Sequence, residues 1–351
     1  MKTHLPRHAR RCFSARVMMA RGSACRSRAG VALLQHCEAP EHRSWKRTEG
    51  NCFAGRRRAT RGAFGLGTAP SMLEKRTMER AIVLAAGTGS RLVSGEIAPK
   101  PLKPVAGVPL LVRILRTLRA EGIREVVVVT GYKEELIQRA LAAESSLGLS
   151  ISFVSNTQYE RKNGVSLLAA REHVVPGTLL TMADHLYSPA IVRRLSALDL
   201  PSRAAALAVD YDIPRCFDLD DATKVRVERG RIVDIGKEIA AYDALDTGVF
   251  RIGPSLVEAL DRVYAAKGDC SLSEGVRALA DEGMFFACDA GDARWIDVDT
   301  PAALEQAELL LARFGDGLDR DALRIDPRPA DRVAPLSRSW AAGYQPAADA
   351  E

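Results

Sequence analysis

Two cysteines separated by two residues never occur in this sequence, so a zinc site of the paired-cysteine kind is not suggested. The seven cysteines are scattered, with Cys12, Cys25, Cys37 and Cys52 near the start and Cys216, Cys270 and Cys288 beyond. Three widely spaced thiols in the globular part suit a reducing compartment rather than a disulfide framework. No apolar run approaches the ~18 residues that span a bilayer, and the chain reads as a soluble, cytoplasmic protein without membrane insertion. No internal repeat is present. Aspartate is missing from residues 1–77, which hold 17 Lys and Arg against 4 Glu. The remaining residues, 78–351, hold 33 Lys and Arg against 40 Asp and Glu, so the formal charge of +6 belongs to the leading segment. A mildly acidic globular part argues against nucleic acid as a partner. Aromatic residues are also sparse in the basic segment (Phe13, Trp45, Phe53, Phe64), which speaks against a basic nucleic-acid arm.

An arginine-rich, acid-poor start is what an organelle transit peptide looks like. The plainer reading is an assigned start codon upstream of the true one, with Met72 or Met78 as the alternative. On either reading 1–77 is expected to be disordered and dispensable. A flexible tail is expected from 315 to 351, where Asp, Arg, Pro and Ala follow no period. Between them, 78–314 form one domain.

That domain opens with an apolar run, Ala81 to Ala86, of buried-strand length. It breaks at Gly87-Thr88-Gly89-Ser90, where small residues let backbone N–H groups converge on an anion. Arg91 follows, and Lys100 stands between Pro99 and Pro101. Leu84, Ala85 and Ala86 lead into this cradle. A dinucleotide fingerprint would need a third glycine and then a helix; the third position is Leu92, and Val93 to Pro99 opens no helix.

Helical and strand patterns then alternate. Apolar residues recur at helical spacing in 110–118 and 133–143, and 125–130 and 178–183 read as buried strands. Further strands are expected at 151–154, 204–209, 245–252 and 284–288, and helices at 163–174, after Pro189, and at 256–265, 272–280 and 302–314. Arg229-Gly230 between two alternating runs marks a hairpin. The expectation is an α/β fold: a mixed, mostly parallel Rossmann-like sheet, helices on both faces, and a small β-rich subregion. Ligands of such sheets bind at the carboxyl ends of the strands.

Polar residues gather at those ends. Asp184-His185 follows the strand 178–183, and an acid there is well placed to hold magnesium, which keeps few protein ligands beside substrate phosphates. Asp297 and Asp299 share one side of an extended segment before the last helix. Asp299 can equally cap that helix, as can Thr300; Asp297 is favoured as the metal ligand, with Asp299 as the alternative. His185 faces an acceptor or caps the strand. Asn163 and Ser166 open a helix, where small polar residues can meet a base edge or serve as caps. In 210–250, Lys224 and Lys237 are candidate phosphate cations, and Asp246 and Thr247 candidate hydroxyl partners; a hairpin with solvated charges explains the spacing as well.

The whole string Leu84-Ala85-Ala86-Gly87-x-Gly89-Ser90-Arg91…Pro99-Lys100-Pro101-Leu102 resembles the signature of nucleotidyltransferases that join a nucleoside triphosphate to a phosphorylated sugar, cyclitol or amino alcohol. The runs DxDDATKVRVExGRIVDIGK…DTGVF, N-G-x-S and A-D-H-x-Y are similar to those of the CTP:inositol-1-phosphate cytidylyltransferases. The likeness covers most of 79–311. It implies the nucleotidyltransferase fold, Mg2+ as cofactor, and CTP and a small phosphorylated polyol as substrates. It also implies metal ligation by Asp184 and an aspartate of W-x-D-x-D-T, and a base-side role for Asn163 and Ser166. Some members are fused to a membrane-bound CDP-alcohol transferase; since nothing membrane-spanning follows here, the product is expected to pass to a separate CDP-alcohol phosphotransferase. Phosphocholine and sugar-1-phosphate transfer are the alternatives, and a nucleotide-sensing homologue without activity is the reading from another class.

Overall fold

A computed structural model of the chain describes residues 78–93 and 98–318. The basic leader 1–77 and the tail from 319 lie outside the described residues. In chain order the elements are β1 (Arg80–Leu84), a single helical turn α1 (Ser90–Val93), the short strands β2 (Pro104–Val105) and β3 (Val108–Pro109), α2 (Leu110–Ala120), β4 (Glu125–Thr130), α3 (Glu134–Ala142), β5 (Ser150–Ser155) and α4 (Asn163–Ala169). Next come β6 (Thr178–Met182), β7 (His185–Tyr187), α5 (Pro189–Ala197), β8 (Ala205–Asp210), β9 (Lys224–Glu228), β10 (Arg231–Gly236) and β11 (Ala244–Ile252). The last are α6 (Pro254–Lys267), α7 (Leu272–Ala280), β12 (Phe285–Asp289), β13 (Trp295–Asp297) and α8 (Pro301–Phe314).

Nine strands form one mixed sheet in the order β5-β4-β1-β6-β11-β8-β12-β10-β9. The half built first, β5 to β6, is parallel throughout. Then β11 enters antiparallel to both β6 and β8, and β9 and β10 close the far edge as a hairpin. Alternating side chains feed two cores, as strand geometry requires. Ala81, Val83, Val126 and Val128 pack on the face covered by α2, α5 and α8. Ile82, Leu84, Val127 and Val129 pack on the face covered by α4, α6 and α7. The apolar runs in β1 and β4 thus reflect burial on both sides.

Two boundaries differ from expectation. The helix from Asn163 stops at Ala169, followed by a 3-10 turn at Arg171–His173. Residues 315–318, expected to be flexible, are placed against the domain: Leu318 is buried, and Asp316 accepts a 2.6 Å hydrogen bond from the buried Arg113. No helix among the described residues is long and apolar enough to cross a membrane.

Candidate active site at the strand ends

Parallel pairing of β1 with β6 sets Leu84 opposite Met182. The glycine turn after β1 and the Asp184-His185 pair after β6 therefore leave the sheet side by side. Their distant partner arrives through a small separate ladder. β13 pairs antiparallel with β7, with Asp297 opposite His185, and Val298 donates its N–H to the Asp184 carbonyl at 2.9 Å. Three residues of pairing thus join acids far apart in the chain.

Lys100 stands on a 3-10 turn with Pro99 before it and Pro101 within, and is only 4% exposed. Its ammonium lies 2.9 Å from Asp184 Oδ2 and 3.7 Å from Asp297 Oδ1, and pairs with Asp299. Gly89 explains how the cradle packs so close. Its φ is +61°, and a Cβ there would lie 2.3 Å from Lys100 Cβ, so only glycine fits. Arg91 reaches Asp221 at 2.7 Å and pairs with Asp299. Asp221 is also paired with Lys237, and its carboxyl lies below its ordinary range, burial being outweighed by Lys237 and Arg91.

His185 Nδ1 is 2.8 Å from Asp184 Oδ1 and 3.9 Å from Asp297 Oδ1. Burial opposes its protonation, but Asp297 and Asp184 outweigh burial and the imidazole is pushed up to about 9. Asp184 is held well below the usual carboxylate range, because Lys100 and His185 overcome its desolvation. Burial, with the Asp184 charge adding to it, pushes Asp297 up against the pull of His185. Burial also drives Asp246 up to about 6, although it accepts a 2.7 Å hydrogen bond from the Gly248 N–H.

These two shifts have the same sign for stability. Asp246 contributes stability that is complete below its free value of 3.8 and lost as pH rises through about 6. His185 contributes stability that is complete below its free value of 6.5 and lost as pH rises through about 9. The thermal midpoint of the metal-free protein is therefore expected to fall between pH 6 and pH 9. Asp297→Asn should flatten the upper part of that fall, as calorimetry across the range would show; an unchanged slope would refute the assignment of the shift to Asp297.

Among the described residues, two groups of side chains could hold a metal ion: Asp184, His185 and Asp297, and Asp221, Asp297 and Asp299, each with ligand atoms within 4.8 Å of one another. Asp297 belongs to both, and its buried Oδ1 makes no hydrogen bond. A buried carboxylate oxygen without a donor is what a metal-ligating atom looks like before a cation is added. Asp299 does not cap α8; Thr300 does, accepting from Ala303 N at 3.1 Å.

Two cavities meet here. The larger, about 590 Å³, is lined by Leu84, Ala85, Gly87–Arg91, Lys100 and Pro101 on one side and by Tyr159–Arg161 on the other. The second, about 200 Å³, is lined by His185, Phe217, Asp218, Asp221, Lys237, Asp246 and Trp295, among others. Asp184 and Asp299 line both.

Several expected site residues lie elsewhere. Ser166 is buried and accepts from Asn156 Nδ2 at 3.0 Å. Asn163 borders the smaller cavity, not the cradle, and its Oδ1 accepts from Leu272 N at 2.9 Å, tying α4 to the start of α7. Thr247 is buried and donates to the Ala208 carbonyl at 2.8 Å. Lys224 lines neither cavity and bonds the Asp220 carbonyl at 3.3 Å. Ala86 is buried beside the cradle, its carbonyl accepting from Tyr132 N at 3.0 Å. Conversely, Asp218 and Phe217 border the smaller cavity, and Tyr159 to Arg161 the larger. The loop 156–162 has no motif that would have pointed to it.

The sequence profile described as the MobA-like NTP transferase domain matches residues 81–269, more than half of the chain. The chain belongs to this family. It is accordingly a nucleotidyltransferase, and its cradle, lysine and acids fall in or just beyond the matched span. Among relatives, the bifunctional IPC transferase and DIPP synthase of Rubrobacter xylanophilus is 41% identical over 245 residues, covering 68% of this chain and 54% of the relative. The chain thus spans about half the length of that protein. The CMP-5'-(3-aminopropyl)phosphonate synthase of Streptomyces rubellomurinus is 34% identical over 248 residues, covering 65% of this chain and 38% of the relative. Among solved structures, the inositol-1-phosphate CTP transferase from T. maritima superposes with a TM-score of 0.61 at 30% identity, covering 69% of this chain and 98% of that one. Two of these three names carry a cytidine nucleotide, CMP in one and CTP in the other.

Proposed function

We propose that this chain transfers a cytidylyl group from CTP to inositol-1-phosphate, giving CDP-inositol and pyrophosphate. The observation that carries the reading is the junction of the two cavities at Asp184 and Asp299. A triphosphate in the larger cavity and a phosphorylated acceptor in the smaller one would meet at those carboxylates. The likeness to the T. maritima transferase, at nearly full coverage of that chain, supports the choice of substrates.

The reaction is an in-line displacement in which an oxygen of the acceptor phosphate bonds to the α-phosphorus as the bond to the bridging oxygen breaks and pyrophosphate leaves. Positioning and charge stabilisation do most of the work in such transfers. The turn at 87–90 and Arg91 hold the outer phosphates. Lys100, fixed by its two prolines, faces the charge that builds on the α-phosphate. Mg2+ held by Asp184 and Asp297 would supply further charge neutralisation on the triphosphate. His185, 2.8 Å from Asp184, helps to fix the orientation of that aspartate. Lys237 takes the acceptor phosphate, and Asp246 accepts from a hydroxyl. The protein works in the cytoplasm, and its product goes on to a CDP-alcohol phosphotransferase.

A second reading has one observation in its favour. Asp218, Asp221 and Asp246 share the smaller cavity with Phe217 and Trp295, a setting that also suits an ammonium-bearing acceptor such as phosphocholine. Pyrophosphate release should be measured with CTP, UTP, GTP and ATP, each with Mg2+, against inositol-1-phosphate, phosphocholine and glucose-1-phosphate. CTP with inositol-1-phosphate is expected to give the highest kcat/KM. A preference for phosphocholine would move the assignment to the second reading, and a preference for UTP or glucose-1-phosphate would overturn both.

A further inference from the structure

Asp210 is a buried carboxylate at the end of β8, only 1% exposed, that bonds no group of either cavity's phosphate machinery. Burial of a charged carboxylate is costly unless donors surround it, and here they do. Its Oδ2 accepts from Trp295 Nε1 at 2.9 Å and from Arg215 Nε and Nη2 at 3.0 and 2.8 Å. Its Oδ1 accepts from Asp212 N at 2.9 Å. Arg215 also donates to the carbonyls of Gly291 and Ala293, at 2.7 and 3.0 Å, just ahead of β13. One carboxylate thus ties the end of β8, the turn that leads to Phe217 and Asp221, and the segment that carries Asp297. The Trp295 indole it holds walls the smaller cavity and lies parallel to the His185 ring, with centroids 6.1 Å apart and planes 5° apart.

We propose that Asp210 is a positioning residue for the transfer: by gripping Trp295 and Arg215 together, it fixes the aromatic wall of the acceptor cavity and, through it, the orientation of His185. This rests on the reading of that cavity as the acceptor site. Removing a hydrogen bond to a buried charge there should loosen the wall without touching the nucleotide cradle. Asp210→Asn and Trp295→Phe, the second keeping a ring but no N–H, should each raise the acceptor KM roughly tenfold with the KM for CTP unchanged. The double variant should lose less than the two single losses combined, because both weaken the one Trp295–Asp210 hydrogen bond.

The test pairs steady-state kinetics with NMR of the His185 ring signals in the substrate-free protein, assigned by their loss in His185→Gln. In Asp210→Asn, which keeps the indole, the His185 signals should shift as the indole moves, and in both single variants the KM change should fall on the acceptor only. Unshifted His185 signals, or equal KM changes for both substrates, would overturn the proposal, since a purely structural anchor would lower the folded fraction without splitting the KM values. If Asp210→Asn does not fold, Arg215→Lys, which loosens the same carboxylate and keeps the indole, decides by the same two readouts. If the wild-type chain turns over none of the acceptors, the function proposed above fails, while the NMR arm still decides whether Asp210 positions the ring.

Discussion

Lys100→Met is expected to lower turnover by about a hundredfold to a thousandfold, the loss seen when one preorganised charge donor leaves a reaction centre. The same substitution should weaken the metal-free protein. Lys100 is the common cationic partner of Asp184, Asp297 and Asp299, and without it three carboxylates converge with His185 and Arg91 as their remaining cationic partners. Loss of a hydrogen bond to a charged, largely buried group costs about 2 kcal/mol, and like charges left together add to that. Mg2+ should then restore more thermal stability to the variant than to the wild-type protein, because a cation bound by the folded state stabilises it by mass action. Initial rates and thermal melts with and without Mg2+ check both halves. Near-normal turnover would remove Lys100 from the chemistry. Equal Mg2+ responses in variant and wild type would mean that Lys100 and the metal do not share these acids.

Much of this arrangement was readable before the fold was known, and the reasons are local. The cradle and Lys100 lie close together in the sequence, and their placement follows from backbone freedom at Gly89 and from proline on either side of Lys100. Asp184 was legible because it ends a continuous apolar run, and a parallel sheet puts such ends at one edge. The β9–β10 hairpin was legible from Arg229-Gly230, which adopt φ of +51° and +75°. What stayed hidden in the sequence was where each side chain turns once the chain is folded. Nothing in Thr247 distinguishes a hydroxyl aimed at ligand from one spent on the Ala208 carbonyl; the antiparallel entry of β11 beside β8 decides it. Ser166 sits about one turn beyond Asn163, which is exposed at the start of α4, and its buried hydroxyl accepts from the Asn156 side chain ten residues back. The choice between Asp297 and Asp299 could not be made from spacing, because both side chains reach the same lysine from a segment anchored by only three residues of ladder.

Gly248 gives the sharpest test of whether His185 must keep its place. Its φ is +76°, and a Cβ would lie 2.4 Å from His185 Cδ2. Gly248→Ala should therefore push the ring off Asp184 and away from Asp297, the two contacts that keep it protonated. Misplacement of an active-site group by about 1 Å costs on the order of a hundredfold in rate, and that is the expected fall in kcat/KM. Backbone strain alone cannot be credited with it if the right control is run. Gly107 has nearly the same φ, +78°, but nothing lies within 4 Å of the position its Cβ would take, and it borders neither cavity. Gly107→Ala bears the left-handed penalty of about 1 kcal/mol without the collision, so it should lower the melting temperature and leave kcat/KM unchanged. Similar kinetic losses in the two variants would mean that strain, not His185, is being measured. A Gly248→Ala protein with wild-type rates would show that the imidazole can leave the two aspartates without consequence, and the acceptor-side assignment would fall with it.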